Sequence, residues 1–401
     1  MIRFLTAGES HGPALTAIIE GFPAGLPLAA GDLQSDLTRR RQGYGRGGRM
    51  KIEADEVNIL SGVRHGQTLG SPITLQILNK DWERWQAVMA AEDLKTASSE
   101  RIIIAADEKL AELKAEVTAA RPGHADLAGA LKYCQTDLRN ILERASARET
   151  AVRVGVGAVA RKFLGEFGIT VFSGVLRIGR VFLAEPPVDL DAYREKVKNS
   201  PVAAPDEQVS KLMMAEIDQA KESGDSLGGV FEVIIKGAPA GLGSHVHWDR
   251  RLDSRLSAAM MSIPAIKAVE VGLGFKAAEL HGSEVHDQIF YNQERGFYRN
   301  TNHAGGIEGG ISNGELIRLR LGMKPIPTLY KPLQTVDIRS KTLEKASVER
   351  SDTCAVPAAA VVAEAMGCWV IAEAFMEKFG GDHLTETRRN FEEYLREIRS
   401  R

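Results

Sequence analysis

Ala355 to Phe379 is the most apolar stretch of the chain, and a helix that is apolar on nearly every side has to be covered on nearly every side. It is long enough to cross a bilayer, which takes about 20 apolar residues. Glu364, Glu373 and Glu377 interrupt it, so a membrane-spanning reading fails and a helix buried in the core or at a subunit interface remains. Its limits follow from local chemistry: it begins after Thr353 and ends at Gly380-Gly381, since glycine favours the position just past a helix C-terminus.

The rest of the chain supplies strands and further helices. Alternation at Ile73, Leu75 and Ile77, over Val230 to Ile235, and at Ile317, Leu319 and Leu321 predicts half-buried strands. Three- and four-residue apolar spacings over Thr150 to Phe167 and Arg250 to Met261 predict amphipathic helices. A short helix is expected from Asp32 as N-cap, carrying Leu33 and Leu37, with Arg39, Arg40 and Arg41 in its last turn and Gly43 closing it. The charged region 81–120 reads as a peripheral helical insertion to which no chemistry is assigned.

With 401 residues, 44% hydrophobic and 26% charged, the chain has ample material for a large core, which excludes disorder and fibrous repeats. No repeat or linker marks a boundary, so one intertwined domain is expected. The balance of 51 basic against 53 acidic residues argues against a polyanion partner. Cys134, Cys354 and Cys368 have no metal-ligand spacing and are odd in number, which fits a reducing cytoplasm and neither a disulfide framework nor a metal site. Met1 to Gly12 shows no apolar core of a secretory signal.

Five constellations carry candidate chemistry. Gly8-Glu9-Ser10-His11-Gly12 sets a hydroxyl and an imidazole in a tightly bent segment. A nucleophilic Ser-His dyad is disfavoured, because adjacent strand residues point to opposite faces, whereas an imidazole with an ordinary pKa of about 6.5 suits protonation of a leaving group. Arg39 to Arg49 sets five arginines (39, 40, 41, 46 and 49) around four glycines, a basic loop suited to bidentate binding of a small polyanion. Arg121-Pro122-Gly123-His124-Ala125-Asp126 presents His124 from a turn. Arg144-Ala145-Ser146-Ala147-Arg148-Glu149 has capping-box spacing between Ser146 and Glu149 at a helix start, where free N–H groups attract phosphate. Finally Asn300 to Gly314, Lys324-Pro325-Ile326-Pro327-Thr328 and Arg350-Ser351-Asp352-Thr353 are polar, backbone-exposing loops suited to a planar cofactor with a phosphate tail.

Taken together and in this order, these segments resemble the chorismate synthase family over nearly the whole chain. The resemblance implies an α+β fold, a β-α-β sandwich in a single large domain, usually assembled as a homotetramer. It implies a cytoplasmic lyase that converts 5-enolpyruvylshikimate 3-phosphate to chorismate and phosphate by 1,4-anti elimination, using reduced FMN, with NADPH or a separate flavin reductase as source of electrons. His11 is similar to the acid that protonates the departing phosphate, His124 to the one that protonates or stabilises reduced flavin, and Asp352, helped by Ser10, to the group that receives the hydrogen through the flavin. Arg40, Arg46, Arg49, Arg121 and Arg148 resemble the substrate-clamping arginines, with Arg40 and Arg46 sometimes assigned to NADP. Flavin contacts carry over to Arg144, Ala145, Ser146, Pro264, Ala265, Gly309, Lys324, Pro325, Ile326, Pro327, Thr328 and Arg350. Ser262-Ile263-Pro264-Ala265 departs from the family's pattern of Gln or Asn before Ala, and proline leaves only a carbonyl or packing contact there.

Two other readings are weighed against this one. A flavin- and NADPH-dependent oxidoreductase would need a nicotinamide site, and no G-x-G-x-x-G follows a strand. A nucleic-acid binder would use repeated Arg-Gly segments with net basic charge, and here there is one short copy.

Overall fold

Alternation along Ile73–Leu78 buries Ile73, Leu75 and Ile77 and leaves Thr74 and Gln76 half-buried on the other face. The computed structural model describes residues 2–47, 55–92, 116–184, 189–348 and 351–400. Ile73–Leu78 lies inside an antiparallel sheet ordered Arg3–Ala7, Ala14–Glu20, Ile73–Leu78, Val57–Ser61. A second antiparallel sheet runs Ile266–Val271, Ile317–Met323, Gly229–Lys236, Thr170–Ile178, Val181–Phe182. Ile317–Met323 alternates as its sequence predicts. Gly229–Lys236 is not half-buried: Phe231 through Ile235 are all covered, because Tyr193 of the helix Leu190–Asn199 packs with Phe172 and Ile234 on the sheet's outer face.

Two helices fill the space between the sheets. Thr150–Gly165 packs on Ala14–Glu20 and Ile73–Leu78, Val356–Phe379 packs on Thr170–Ile178 and Gly229–Lys236, and the two helices pack on each other. The result is a β-α-β sandwich with a hydrophobic core running through every layer. Val356–Phe379 is long and apolar enough to span a membrane, yet 94% of its most apolar part is buried inside the fold. It occupies the core, and Gly380 caps its C-terminus as expected.

Glu364, the charge that interrupts this helix, is fully buried and joins three neighbours. Its Oε1 accepts from Arg39 Nη2 at 2.7 Å and Ser173 Oγ at 2.6 Å, and its Oε2 from Arg161 Nη2 at 2.6 Å. Burial alone would raise its carboxyl, but the Arg39 and Arg161 guanidiniums outweigh that and hold it down at about 2.

Several local expectations differ from what is found. The first helix runs Ala30–Arg41 with Ala29 as its N-cap; Asp32 stands in the first turn and accepts the Ala29 N–H at 2.8 Å, capping from inside the helix rather than ahead of it. Ser146 caps the 3₁₀ turn Ala147–Glu149 by accepting the Arg148 N–H, but Glu149 does not complete a capping box, because its carboxylate pairs with Arg153 at 3.0 Å. A further helix, Leu384–Ser400, closes the described chain. Of the expected helical insertion, 93–115 lies outside the described residues; within 81–92 there is a single helical turn, Trp82–Trp85.

Candidate active site

The turn after Arg3–Ala7 cannot be made by an ordinary residue: Gly8 has φ +109, and a Cβ there would stand 2.3 Å from the Ala14 carbonyl. This sharp bend lets Ser10 and His11 reach one space, a cleft of about 610 Å³. The same cleft is lined by Arg40, Arg46, Arg121, His124 and Arg148. Residues from opposite ends of the chain therefore converge there, and the two histidines share one wall system.

The cationic side is fixed from behind. Asp55 stands between Arg40 and Arg148, 3.2 Å from Arg40 Nη1 and ion-paired with Arg148. Arg148 also donates from Nε and Nη2 to Asn79 Oδ1 at 3.1 and 3.0 Å, while Asn79 Nδ2 holds the Gly12 carbonyl at 2.5 Å. Arg40 donates to Thr150 Oγ1 at 3.1 Å and to the Ala147 carbonyl at 3.0 Å. Buried guanidiniums held this way keep their geometry before a ligand arrives, which is what preorganised anion binding requires.

Each histidine is backed by a carboxylate. His11 Nδ1 lies 2.9 Å from both oxygens of Glu143, and its ring is stacked on Trp85 with centroids 3.8 Å apart. His124 Nδ1 lies 2.5 Å from Asp126 Oδ1, and Asp126 Oδ2 accepts from Arg121 Nε at 2.8 Å. Burial pushes the Asp126 carboxyl up, but hydrogen bonds from His124 and Arg121 prevail and bring it down to about 2. Asp352 faces the arginine segment, with Arg46 Nη1 at 2.6 Å and the Gly47 N–H at 2.6 Å. Ser146 donates to Ser10 at 3.2 Å.

The opposite side is small and apolar. Ala355, Ala358, Ala359 and Val362 come from the start of the central helix, and Pro264, Ala265, Ile326 and Pro327 from neighbouring loops. Ala265 has a left-handed backbone, φ +68, and its carbonyl accepts the Lys324 N–H at 3.0 Å, tying the two loops together. Pro264 contributes packing, as proline must. Ala145, Ser146, Lys324 and Thr328 complete the rim. Apolar lining together with cationic side chains in a cleft of about 610 Å³ fits a ring system carrying a phosphate.

Not every expected residue reaches the cleft. The Arg144 guanidinium is engaged by the Gly8 carbonyl at 2.9 Å and by the Thr6 carbonyl and hydroxyl at 3.0 and 2.8 Å, so it braces the His11 turn. Pro325 is exposed between two neighbours that line the cleft. Gly309 sits in a hairpin whose Gly310 packs on Arg251 at the start of the helix Leu252–Met261, whereas the cleft meets that helix at Met261, roughly 15 Å further along at 1.5 Å per residue. Arg49 and Arg350 lie outside the described residues. Residue-level reading missed Glu143, Trp85, Asp55 and Asn79. The tryptophan pair in Asp81-Trp82-Glu83-Arg84-Trp85 was the one available signal, and region 81–92 is not devoid of chemistry, since Trp85 covers a cleft histidine.

Comparison with known proteins agrees with this geometry. The family model described as chorismate synthase matches residues 2–376. The chain belongs to the chorismate synthase family. A chorismate synthase of Desulforamulus reducens is 57% identical over 100% of both chains, and one of Brevibacillus brevis is 55% identical over 98% of each. A solved structure titled as a crystal structure of chorismate synthase matches with a TM-score of 0.78 and 43% identity, covering 100% of this chain and 99% of that one. As a member of the chorismate synthase family, the chain is a lyase that converts 5-enolpyruvylshikimate 3-phosphate to chorismate and phosphate. The lyase reading, and not the oxidoreductase one, is what the chorismate synthase family carries.

Proposed function

We propose that the cleft binds reduced FMN along its apolar side and the phosphorylated substrate against its cationic side. Ala145, Ser146, Pro264, Ala265, Lys324, Ile326, Pro327 and Thr328 hold the cofactor. When bound, reduced flavin supplies an electron-rich ring that lends charge as phosphate departs, which matters because the hydrogen lost is not acidic. Arg40, Arg46, Arg121 and Arg148 bind the substrate's phosphate and carboxylates and favour departure of the dianion. Arg49 and Arg350 are proposed for the same substrate and cofactor respectively on the family resemblance.

His11 gives a proton to the leaving phosphate oxygen, His124 faces the cofactor as its proton donor, and Asp352, helped by Ser10, is the final acceptor of the hydrogen. The observation that carries this reading is the convergence of His11, His124 and four guanidiniums on one cleft. Electrons enter from NADPH or through a separate flavin reductase, and the chain works as a cytoplasmic homotetramer, for which the exposed Phe275, Ile289, Tyr291 and Phe297 offer apolar surface to a second copy.

The test is an anaerobic assay with chemically reduced FMN and no NADPH. Chorismate and phosphate are expected in equal amounts, and His11→Ala is expected to cut turnover by about 100-fold or more while substrate and flavin still bind. Turnover of the His11→Ala variant at the parent rate would remove His11 from the mechanism.

A further inference from the structure

The proposed acid, His11, sits in a cleft built to attract anions. Arg40, Arg46, Arg121 and Arg148 line the same space, with His124 beside them. The His11 imidazole must be held and aimed if it is to deliver a proton to the phosphate.

Glu143 is placed to do so. Its side chain is 2% exposed, and both its oxygens lie 2.9 Å from His11 Nδ1. It also accepts the His11 backbone N–H at 3.0 Å, and its own carbonyl accepts the Ser10 N–H at 3.0 Å, so turn and ring are held by one residue. A carboxylate only accepts hydrogen bonds, which fixes a proton on Nδ1 and leaves Nε2 as the nitrogen open to the cleft. Trp85 fixes the remaining freedom: its indole lies on the imidazole face at 3.8 Å and 26°. Arg139 in turn holds both clamps, with Nη1 3.6 Å from Glu143 Oε1 and its guanidinium 5.3 Å from the Trp85 ring. Among the other charged neighbours, Arg144 is engaged on the carbonyls of Gly8 and Thr6.

We propose that Glu143 and Trp85 are positioning residues for His11, the carboxylate setting the tautomer and stabilising the imidazolium and the indole setting the ring plane, so that Nε2 delivers the proton. This rests on the reading of His11 as general acid. In the step itself the carbon–oxygen bond breaks with its electron pair going to phosphate, the Nε2 proton goes to a phosphate oxygen, and the ring is left neutral with its other proton on Nδ1 against Glu143.

The experiment is a double-mutant cycle in anaerobic single turnover with chemically reduced FMN. Glu143→Gln is expected to lower the rate of chorismate formation by about 10- to 100-fold with little change in KM, and to cost nothing further in a His11→Ala background. Trp85→Ala is expected to lower the rate less, and Trp85→Phe, which keeps a stacking face, to recover it. Nitrogen-15 NMR of the intact enzyme at alkaline pH should find the neutral His11 ring protonated on Nδ1. A proton on Nε2 with Glu143 in place, or an equal loss from Glu143→Gln in both backgrounds, would overturn the assignment. Full turnover of His11→Ala would instead sink the general-acid reading, while the NMR result would still decide whether Glu143 sets the tautomer.

Discussion

Arg46 Nη1 stands 2.6 Å from Asp352 Oδ2, so the side chain proposed to accept the hydrogen is ion-paired with one proposed to hold the substrate. An incoming phosphate or carboxylate competes with Asp352 for that guanidinium. Asp352→Asn keeps the shape and removes the charge, which predicts two opposite effects. Turnover should fall by about 100-fold or more, the scale of a lost proton-transfer group. Substrate binding should hold or tighten, because Arg46 no longer has a carboxylate to leave. Equilibrium binding beside single-turnover rates checks this, and a substrate Kd weakened in step with the rate would contradict it.

Asp126 holds His124 through Nδ1 much as Glu143 holds His11. Burial raises the Asp126 carboxyl, but hydrogen bonds from His124 and Arg121 bring it from 3.8 to about 2. A carboxyl depressed by folding stabilises the fold above its unfolded value, and that contribution is lost as pH falls from about 3.8 towards 2. Above that window Asp126 is a constant negative charge. Asp126→Asn should therefore lower turnover by about 10-fold or more at every pH in the neutral range, without moving the shape of the profile through any titration of Asp126 itself. Activity measured from pH 6 to about 9 tests it.

What the sequence disclosed and what it hid divide by range. Ile73, Leu75 and Ile77, the strand around Leu319, and the end of the central helix at Gly380 were legible because periodicity and capping are local. His11, His124 and the arginines were legible as chemical types set among glycines. Asp126, the partner of His124, stood in the same turn, but the partner of His11 was not legible, since Glu143 lies 132 residues away and no local pattern pairs them. Nor does any local pattern warn that Phe231 through Ile235 are covered on both faces of their strand; that depends on Tyr193, a distant residue, closing over the outer side. Gly309 is not among the residues lining this chain's cleft, and a glycine-rich loop announces a bend but not where it points.

Glu364 predicts a different acid sensitivity, one of stability rather than rate. The pair of guanidiniums holds its carboxyl at about 2 against an ordinary 4.5, so the stabilisation is complete above 4.5 and drains away as pH falls through about 2. Glu364→Gln removes one of the two carboxylates that Arg39 and Arg161 share, leaving them Asp36 at 3.1 and 2.7 Å. The loss is therefore expected to fall below the cost of a buried pair broken outright, about 3–5 kcal/mol. Urea unfolding at neutral pH should show that loss, and the gap between parent and variant should narrow on acidification. A gap independent of pH would mean that the carboxylate is not what ties the helices bearing Arg39, Arg161 and Glu364 to Thr170–Ile178.

At Gly157 one central helix packs directly on Ala365 of the other, and there two effects compete. Replacing a helical glycine by alanine ordinarily gains up to about 1 kcal/mol. At Gly157, however, the new Cβ would meet Ala365 Cβ at 2.3 Å, its Cα at 2.4 Å and its carbonyl oxygen at 2.5 Å, and backbone atoms cannot step aside as a flexible side chain would. Overpacking of a core costs about 1–3 kcal/mol or more, so Gly157→Ala should destabilise. Gly165 lies in the same helix with nothing within 4 Å of its would-be Cβ. Gly165→Ala should therefore be neutral or stabilising. Thermal unfolding of the two variants side by side separates crowding from propensity, and a Gly157→Ala variant as stable as Gly165→Ala would show that the helices can move apart at no cost.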